Sequence, residues 1–302
     1  MGVAPDNTEW VWNHIRLVLP SEWEMLRFSR DPRNGRCSFA DRFGFRLELT
    51  WRRVPGPPDY VRMLSDYASR LERDGAQEVR AAHSGAQEGL EALEGGVRTT
   101  RYGRYLRGET CLVEVVFLWP EGRATGLERA VLDSLRAEPP LPGGERRWRA
   151  FGAEMHVPPG GHLTACQVVP GKAEWAFRWP EESESWRFVR LGMVSEWLHE
   201  DLDAWLRRQT PSRMRPAGVS RHTVAGHDVY EWQGGSRTPV LLRHGRGVRL
   251  GRLGSRVEAW RCPADGRLYL AEHTGPHRTV SKVLPLFGRR LLCEATGIAK
   301  AA

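Results

Sequence analysis

The residues with the greatest chemical potential in this chain are arginines at regular spacing. Arg98, Arg101, Arg104 and Arg107 recur every third residue. So do Arg243, Arg246, Arg249 and Arg252, with Arg256 and Arg261 following. From Arg237 to Arg261 there are seven Arg against one acid, Glu258, with His244 and Trp260 interleaved. Guanidinium forks grip carboxylates and phosphates bidentately, and an aromatic ring can stack on a base. The expected binding set is therefore Arg237, Arg243, Arg246, Arg249, Arg252, Arg256, Trp260 and Arg261. A spacing of three alternates faces along a strand, so regular β structure cannot align these side chains in one stripe. Gly245, Gly247, Gly251 and Gly254 read instead as a loop that splays them. The competing reading is solvated edge charge that blocks sheet-to-sheet association.

Other chemistry is thinner. His222 and His227, then His273 and His277, stand near Cys262, but there is one lone Cys, and in the H-x3-H segment His273–His277 the residue Pro276 disfavours a helical pair. Zinc sites readable from sequence show paired short spacings, so neither a metal nor a cofactor is expected. No G-x-S-x-G, H-E-x-x-H or G-x-x-x-x-G-K-[ST] pattern occurs, and no catalytic residue is assigned. A spatial pairing of Cys111, Cys166 or Cys262 with a histidine is the enzymatic alternative. Trp175 and Trp179 lie near Glu181, Glu182 and Glu184 and read as a strand packed on its own sheet, with an exposed binding edge as the alternative.

The charge is unevenly spread. Residues 1–142 hold 20 Arg and 21 acids, a net of −1, whereas residues 143–302 hold 22 Arg, 3 Lys and 16 acids, a net of +9. A localised basic field favours an acidic partner, either protein or nucleic acid. No run approaches the roughly 18 apolar residues of a membrane span, and no secretory leader is evident at the N-terminus. Cys37, Cys111, Cys166, Cys262 and Cys293 are odd in number and scattered, which reads as buried thiols in a cytoplasmic, reducing setting.

The elements that must position these residues repeat. The Pro/Gly-rich stretch Arg136–Glu145 suits a linker, dividing a first domain (9–138) from a second (148–295) across residues 139–147. Gly95-Gly96-Val97-Arg98-Thr99 returns as Gly234-Gly235-Ser236-Arg237-Thr238 at an offset of 139, and Leu17-Val18-Leu19-Pro20 aligns with His156-Val157-Pro158-Pro159 at the same offset. Phe45 to Trp51 alternates as a strand, and Tyr60, Leu64, Tyr67, Ala68 and Leu71 form a helical stripe behind Pro57 and Pro58. Cys111–Trp119 reads as a central strand and Thr125–Leu135 as a closing helix. In the second half Trp186–Met193 is a strand, and Val194, Trp197, Leu198, Leu202, Trp205 and Leu206 form one helical stripe. A terminal helix is expected within Val280–Leu292. The fold class expected is α+β, in two related domains, each an antiparallel sheet flanked by helices.

Each half runs strand, turn, β-hairpin, helix, β-meander, helix. With the opening Leu17-Val-Leu-Pro-Ser-Glu-Trp23, an apolar strand followed by Pro and Trp, this order resembles PsbP-like domains, the superfamily of a photosystem extrinsic protein and a Ran-binding relative. The resemblance covers about residues 12–138 and 148–294; in the second half Gly161 and His162 stand near the place of the Trp. It implies a sheet flanked by helices and non-enzymatic, protein-binding roles, with no catalytic residues to transfer. The expectation from sequence is a scaffold or binding protein. Its second domain would engage an acidic protein through the arginine patch, and its first would support a homodimer or second contact. A nucleic-acid accessory protein using the same patch is the alternative.

Overall fold

The alternation of apolar and polar residues places far more of the chain in strands than in helices. The computed structural model describes residues 6–179, 181–209, 214–236, 238–244, 247–280 and 285–293, giving backbone alone at 215–217 and 244. The chain divides into two compact units, Met1–Pro139 and Pro140–Ala302.

The first unit contains β1 (Asn7–Trp12), β2 (Ile15–Pro20), β3 (Glu24–Phe28), β4 (Asn34–Ala40), β5 (Phe45–Arg53), α1 (Tyr60–Arg73), β6 (Gln77–Ser84), β7 (Gln87–Glu94), β8 (Val97–Leu106), β9 (Cys111–Trp119), α2 (Thr125–Ser134) and β10 (Arg136–Ala137). Seven of these strands make one antiparallel sheet in the order β3-β4-β5-β9-β8-β7-β6. The β1–β2 hairpin and β10 pair separately. Leu47, Leu49 and Trp51 share a face with Val113, Val115 and Phe117, and all six are buried. Burial of a large apolar side chain contributes about 1.5–3 kcal/mol, so this face is the first unit's main anchor. Helix α1 starts at Asp59, whose carboxylate accepts from the Arg62 amide at 3.1 Å, and lays Leu64, Tyr67, Ala68 and Leu71 on Leu90 and Ala92.

The second unit contains β11 (Arg146–Ala150), β12 (Ala153–Val157), β13 (His162–Val169), β14 (Lys172–Trp179), β15 (Glu184–Leu191), α3 (Val194–Trp197), α4 (Leu202–Gln209), β16 (Met214–Val224), β17 (His227–Ser236), β18 (Val240–His244), β19 (Gly247–Gly251), β20 (Leu253–Arg261), β21 (Leu268–Pro276), α5 (His277–Val280) and β22 (Leu291–Leu292). Its large sheet runs β13-β14-β15-β21-β20-β17-β16. With the strands of each large sheet numbered along the chain, both units read 1-2-3-7-6-5-4. A three-stranded meander, a helical crossover and a four-stranded meander thus occur twice. The second sheet differs by carrying β18–β19 between its fifth and sixth strands. Trp175, Phe177, Trp186 and Phe188 are buried on it, and Trp205 and Leu206 of α4 pack on Val257, Leu268 and Leu270.

The α+β expectation is corrected. Of the described residues 56% are strand and 16% helix, so the protein is β-rich. The helical stripe expected from Val194 to Leu206 is interrupted. Met193 enters it at a φ of +51°, and Leu198 is extended, leaving one turn in α3 and a short α4. Periodicity at 3.6 is present, yet too few residues follow it to override the extended break. The terminal helix expected across Val280–Leu292 falls partly on residues 281–284, outside the described residues; residues 285–293 hold no helix, and Leu291–Leu292 pairs with β12 as a strand. Proline at 285 lacks the N–H a continuing helix would need. The glycines at 247 and 251, read as loop, lie in strand β19.

A candidate docking hairpin in the second unit

In the first unit β7 passes to β8 through Gly95-Gly96, both at positive φ (55° and 83°), the conformation that favours glycine. The second unit uses the matching Gly234-Gly235 differently: both lie within β17, paired with Ser255 and Gly254 of β20. The turn's place is taken by an inserted hairpin. Its register pairs Val240 with Gly251, Leu241 with Leu250, Leu242 with Arg249, and Arg243 with Val248. Residues opposite each other share a face, so Leu241, Arg243, Val248 and Leu250 point to one side and Leu242 and Arg249 to the other.

The two sides have different fates. Leu242 is buried, and Gly251 makes room for it: a Cβ on Gly251 would lie 2.6 Å from Leu242 Cδ1. The opposite face is open, with Leu241 73%, Leu250 69% and Val248 61% exposed. Three adjoining aliphatic side chains in water, with Arg243 among them, form an amphipathic cationic surface. The hairpin is tethered near its turn by the Arg243 amide, which donates to Ser183 Oγ at 2.7 Å, and the Leu253 amide beyond it donates to Ser236 Oγ at 3.1 Å. Among the described residues no third strand pairs with β18–β19, although the Arg243 amide on the β18 edge is already taken by Ser183.

The arginines predicted to act together divide into three groups. Arg243, Arg249 and Arg252 are exposed on or beside the hairpin. Arg261 is exposed too, but at the far end of β20 from Arg252, about 25–30 Å away at some 3.3 Å per residue. Arg256 is buried, bonded to Glu231 at 3.0 Å and Glu258 at 2.9 Å. Glu258 also accepts the Leu286 and Phe287 amides, at 2.9 and 2.8 Å, so Arg256 is a core counterion. Trp260 is fully buried, stacked on Tyr269 at 5.7 Å and met edge-on by Phe287 at 4.8 Å, so its ring cannot stack on a base. Arg237 and Arg246 lie outside the described residues. Sequence reasoning passed over Leu241, Val248 and Leu250. Their alternation with arginine was a signal, masked by the surrounding glycines.

Of the remaining chemical candidates, His227 and Cys262 are brought together, within 4.8 Å. Trp175 and Trp179 are buried; Trp179 donates to the Pro159 carbonyl at 2.8 Å and forms no exposed edge. His273 is buried against Glu184 at 2.8 Å, His277 is exposed, and His222 is half-buried on β16. Cys37, Cys111, Cys262 and Cys293 are buried and Cys166 is partly so, all as free thiols. Burial pushes the Cys262 thiol up to about 11, the opposite of an activated nucleophile. A cavity of about 220 Å³ lies between α1 and the first sheet, lined by Thr50, Leu64, Tyr67, Arg101 and Glu114 among others. It is smaller than the roughly 300–1,000 Å³ of typical ligand pockets. Among the described residues no helix is long and apolar enough to cross a membrane.

No family model matches the chain, and no curated protein matches it. Among solved structures, the chain is similar to the apo structure of immunity protein TplEi of T6SS from Pseudomonas aeruginosa, at 11% identity and a TM-score of 0.40, over 89% of this chain and 87% of that one.

Proposed function

We propose that this is a binding protein whose second unit docks an acidic protein segment on the β18–β19 hairpin. The observation that carries the reading is the exposed face Leu241–Arg243–Val248–Leu250 on an element that the first unit lacks. Aliphatic side chains supply buried area on association, while Arg243, with Arg249 and Arg252 nearby, selects for carboxylates. The +9 balance of the second half would speed encounter with such a partner. An extended acidic segment suits the surface best, because a free hairpin edge offers main-chain pairing as well.

Two assays with the full chain test this. Immobilised acidic peptides that alternate carboxylate and aliphatic residues should retain the wild-type chain, and the Leu241→Asp/Leu250→Asp double variant should wash through. Duplex and single-stranded DNA should bind only weakly. Retention of nucleic acid with the steep salt dependence of phosphate contacts, unaffected by the double variant, would transfer the function to the nucleic-acid reading.

A further inference from the structure

His227, Cys262 and Cys293 are separated by 35 and 31 residues in the chain, yet their ligand atoms all lie within 4.8 Å of one another. Three elements deliver them: the start of β17, the turn after β20, and the segment after β22. All three side chains are buried, and no carboxylate belongs to the group. The Ala225 carbonyl lies 2.9 Å from His227 Nδ1, which fixes a tautomer with the proton on Nδ1 and makes Nε2 the acceptor. Nε2 faces Cys293 Sγ at 3.4 Å. A tetrahedral zinc ion, with bonds of about 2.3 Å to sulfur and 2.0 Å to nitrogen, holds such atoms about 3.6 Å apart.

The surroundings of Cys262 point the same way. Cys262 opens the turn Cys262-Pro-Ala-Asp-Gly-Arg267, closed by the Cys262 amide donating to the Arg267 carbonyl and the Gly266 amide donating to the Cys262 carbonyl, each at 2.9 Å. A closed turn fixes the backbone that carries the sulfur, as outer-shell bonds do for a metal ligand. The carbonyl behind His227 plays the matching part for imidazole. The first unit has nothing equivalent: the residue that begins β7, in the place of His227, is Gln87, and the turn between β8 and β9 has no cysteine or histidine before Cys111.

We propose that His227, Cys262 and Cys293 bind one zinc ion, clipping the segment that carries Phe287 and Leu291–Leu292 to the ends of strands β17 and β20. Two thiolates and an imidazole are a soft donor set that suits zinc over magnesium or calcium. Each thiol gives its proton to solvent as the metal enters, and a water completes the tetrahedron. The site is separate from the hairpin, so either reading can fail alone.

The test uses the full chain, reduced and offered zinc chloride, then passed through gel filtration. About one zinc per chain should be retained. Cobalt(II) in its place should give the sulfur-to-metal charge-transfer band and the intense visible bands of tetrahedral coordination. Cys293→Ala and His227→Ala should each lower zinc affinity at least about tenfold. Because a variant can fail for want of folding, the wild-type cobalt spectrum decides. Zinc below about a tenth of an equivalent, an octahedral cobalt spectrum without a sulfur band, or a retained ion indifferent to all three ligands would overturn the proposal. So would a reduced chain that binds no zinc and, on air exposure, forms a Cys262–Cys293 disulfide instead.

Discussion

Leu241 and Leu250 stand directly opposite each other in the β18–β19 register, and both are largely open to solvent. A cross-strand aliphatic pair normally stabilises a sheet by covering itself against a core. Here the pair covers nothing, while Leu242, one residue along, does the packing. Replacing both leucines with aspartate should therefore leave the unfolding free energy of the chain, measured in urea, nearly unchanged, within about 0.5 kcal/mol. Binding to acidic peptide should fall at least tenfold, an effect of about 1.4 kcal/mol. Parallel titrations on one preparation check both.

The arginines of the second half should separate by burial. Arg256→Ala leaves the Glu258 carboxylate in the core without its counterion and should cost about 3–5 kcal/mol. Arg243→Ala, on the open face of the hairpin, should cost almost nothing in stability and weaken acidic-peptide binding. Chemical denaturation of the two variants distinguishes a structural from a surface arginine; equal costs would erase the distinction.

The repeated topology was legible early because the Gly-Gly-x-Arg-Thr motif falls at the same step of each meander, the passage from fifth to sixth strand. Helix α1 was legible as well, since its stripe runs uninterrupted from Tyr60 to Leu71 behind an Asp59 cap. The second unit's helices were not. Trp197, Trp205 and Leu206 keep helical spacing, but the break at Leu198 is a backbone event that spacing does not report. That difference accounts for the α+β assignment of a β-rich chain. Among the site residues, Arg243, Arg249 and Arg252 could be read from charge. The burial of Arg256 and Trp260 could not, because it depends on Glu231, Glu258 and Phe287, which arrive from other elements. His227, Cys262 and Cys293 lacked any short spacing to announce them.

Two glycines should respond oppositely to alanine. On Gly89 a Cβ would meet the Arg101 carbonyl oxygen at 2.1 Å, a backbone atom that cannot step aside. Gly89→Ala should destabilise by about 1–3 kcal/mol or more. Gly126, in helix α2 with open space around it, should gain about 0.5–1 kcal/mol from the same change. Thermal melts of the two variants should move in opposite directions.

Acid should unfold the chain through its paired glutamates. Burial raises the Glu91 carboxyl, but its bonds to Arg80 and Arg98 outweigh that and hold it below the ordinary 4.5. Glu184 is held down in the same way by His273. Each folded pKa lies below the unfolded one, so the stability they add is present above about 4.5 and is lost as pH falls through the folded values. Urea midpoints should drop steeply below about pH 4.5. Glu91→Gln should be less stable at neutral pH and show a shallower acid decline.

The most direct measurement of hairpin docking places a photo-crosslinking amino acid at Leu250, with Val61 of α1, itself 77% exposed, as the control position. The chain is irradiated in its native cells and the adducts are identified by mass spectrometry. The expected result is a discrete adduct to an acidic protein segment from position 250, absent from position 61 and lost when Arg243 and Arg249 are changed to glutamate. Adducts to nucleic acid, or the same protein adducts from both positions, would contradict docking on the hairpin.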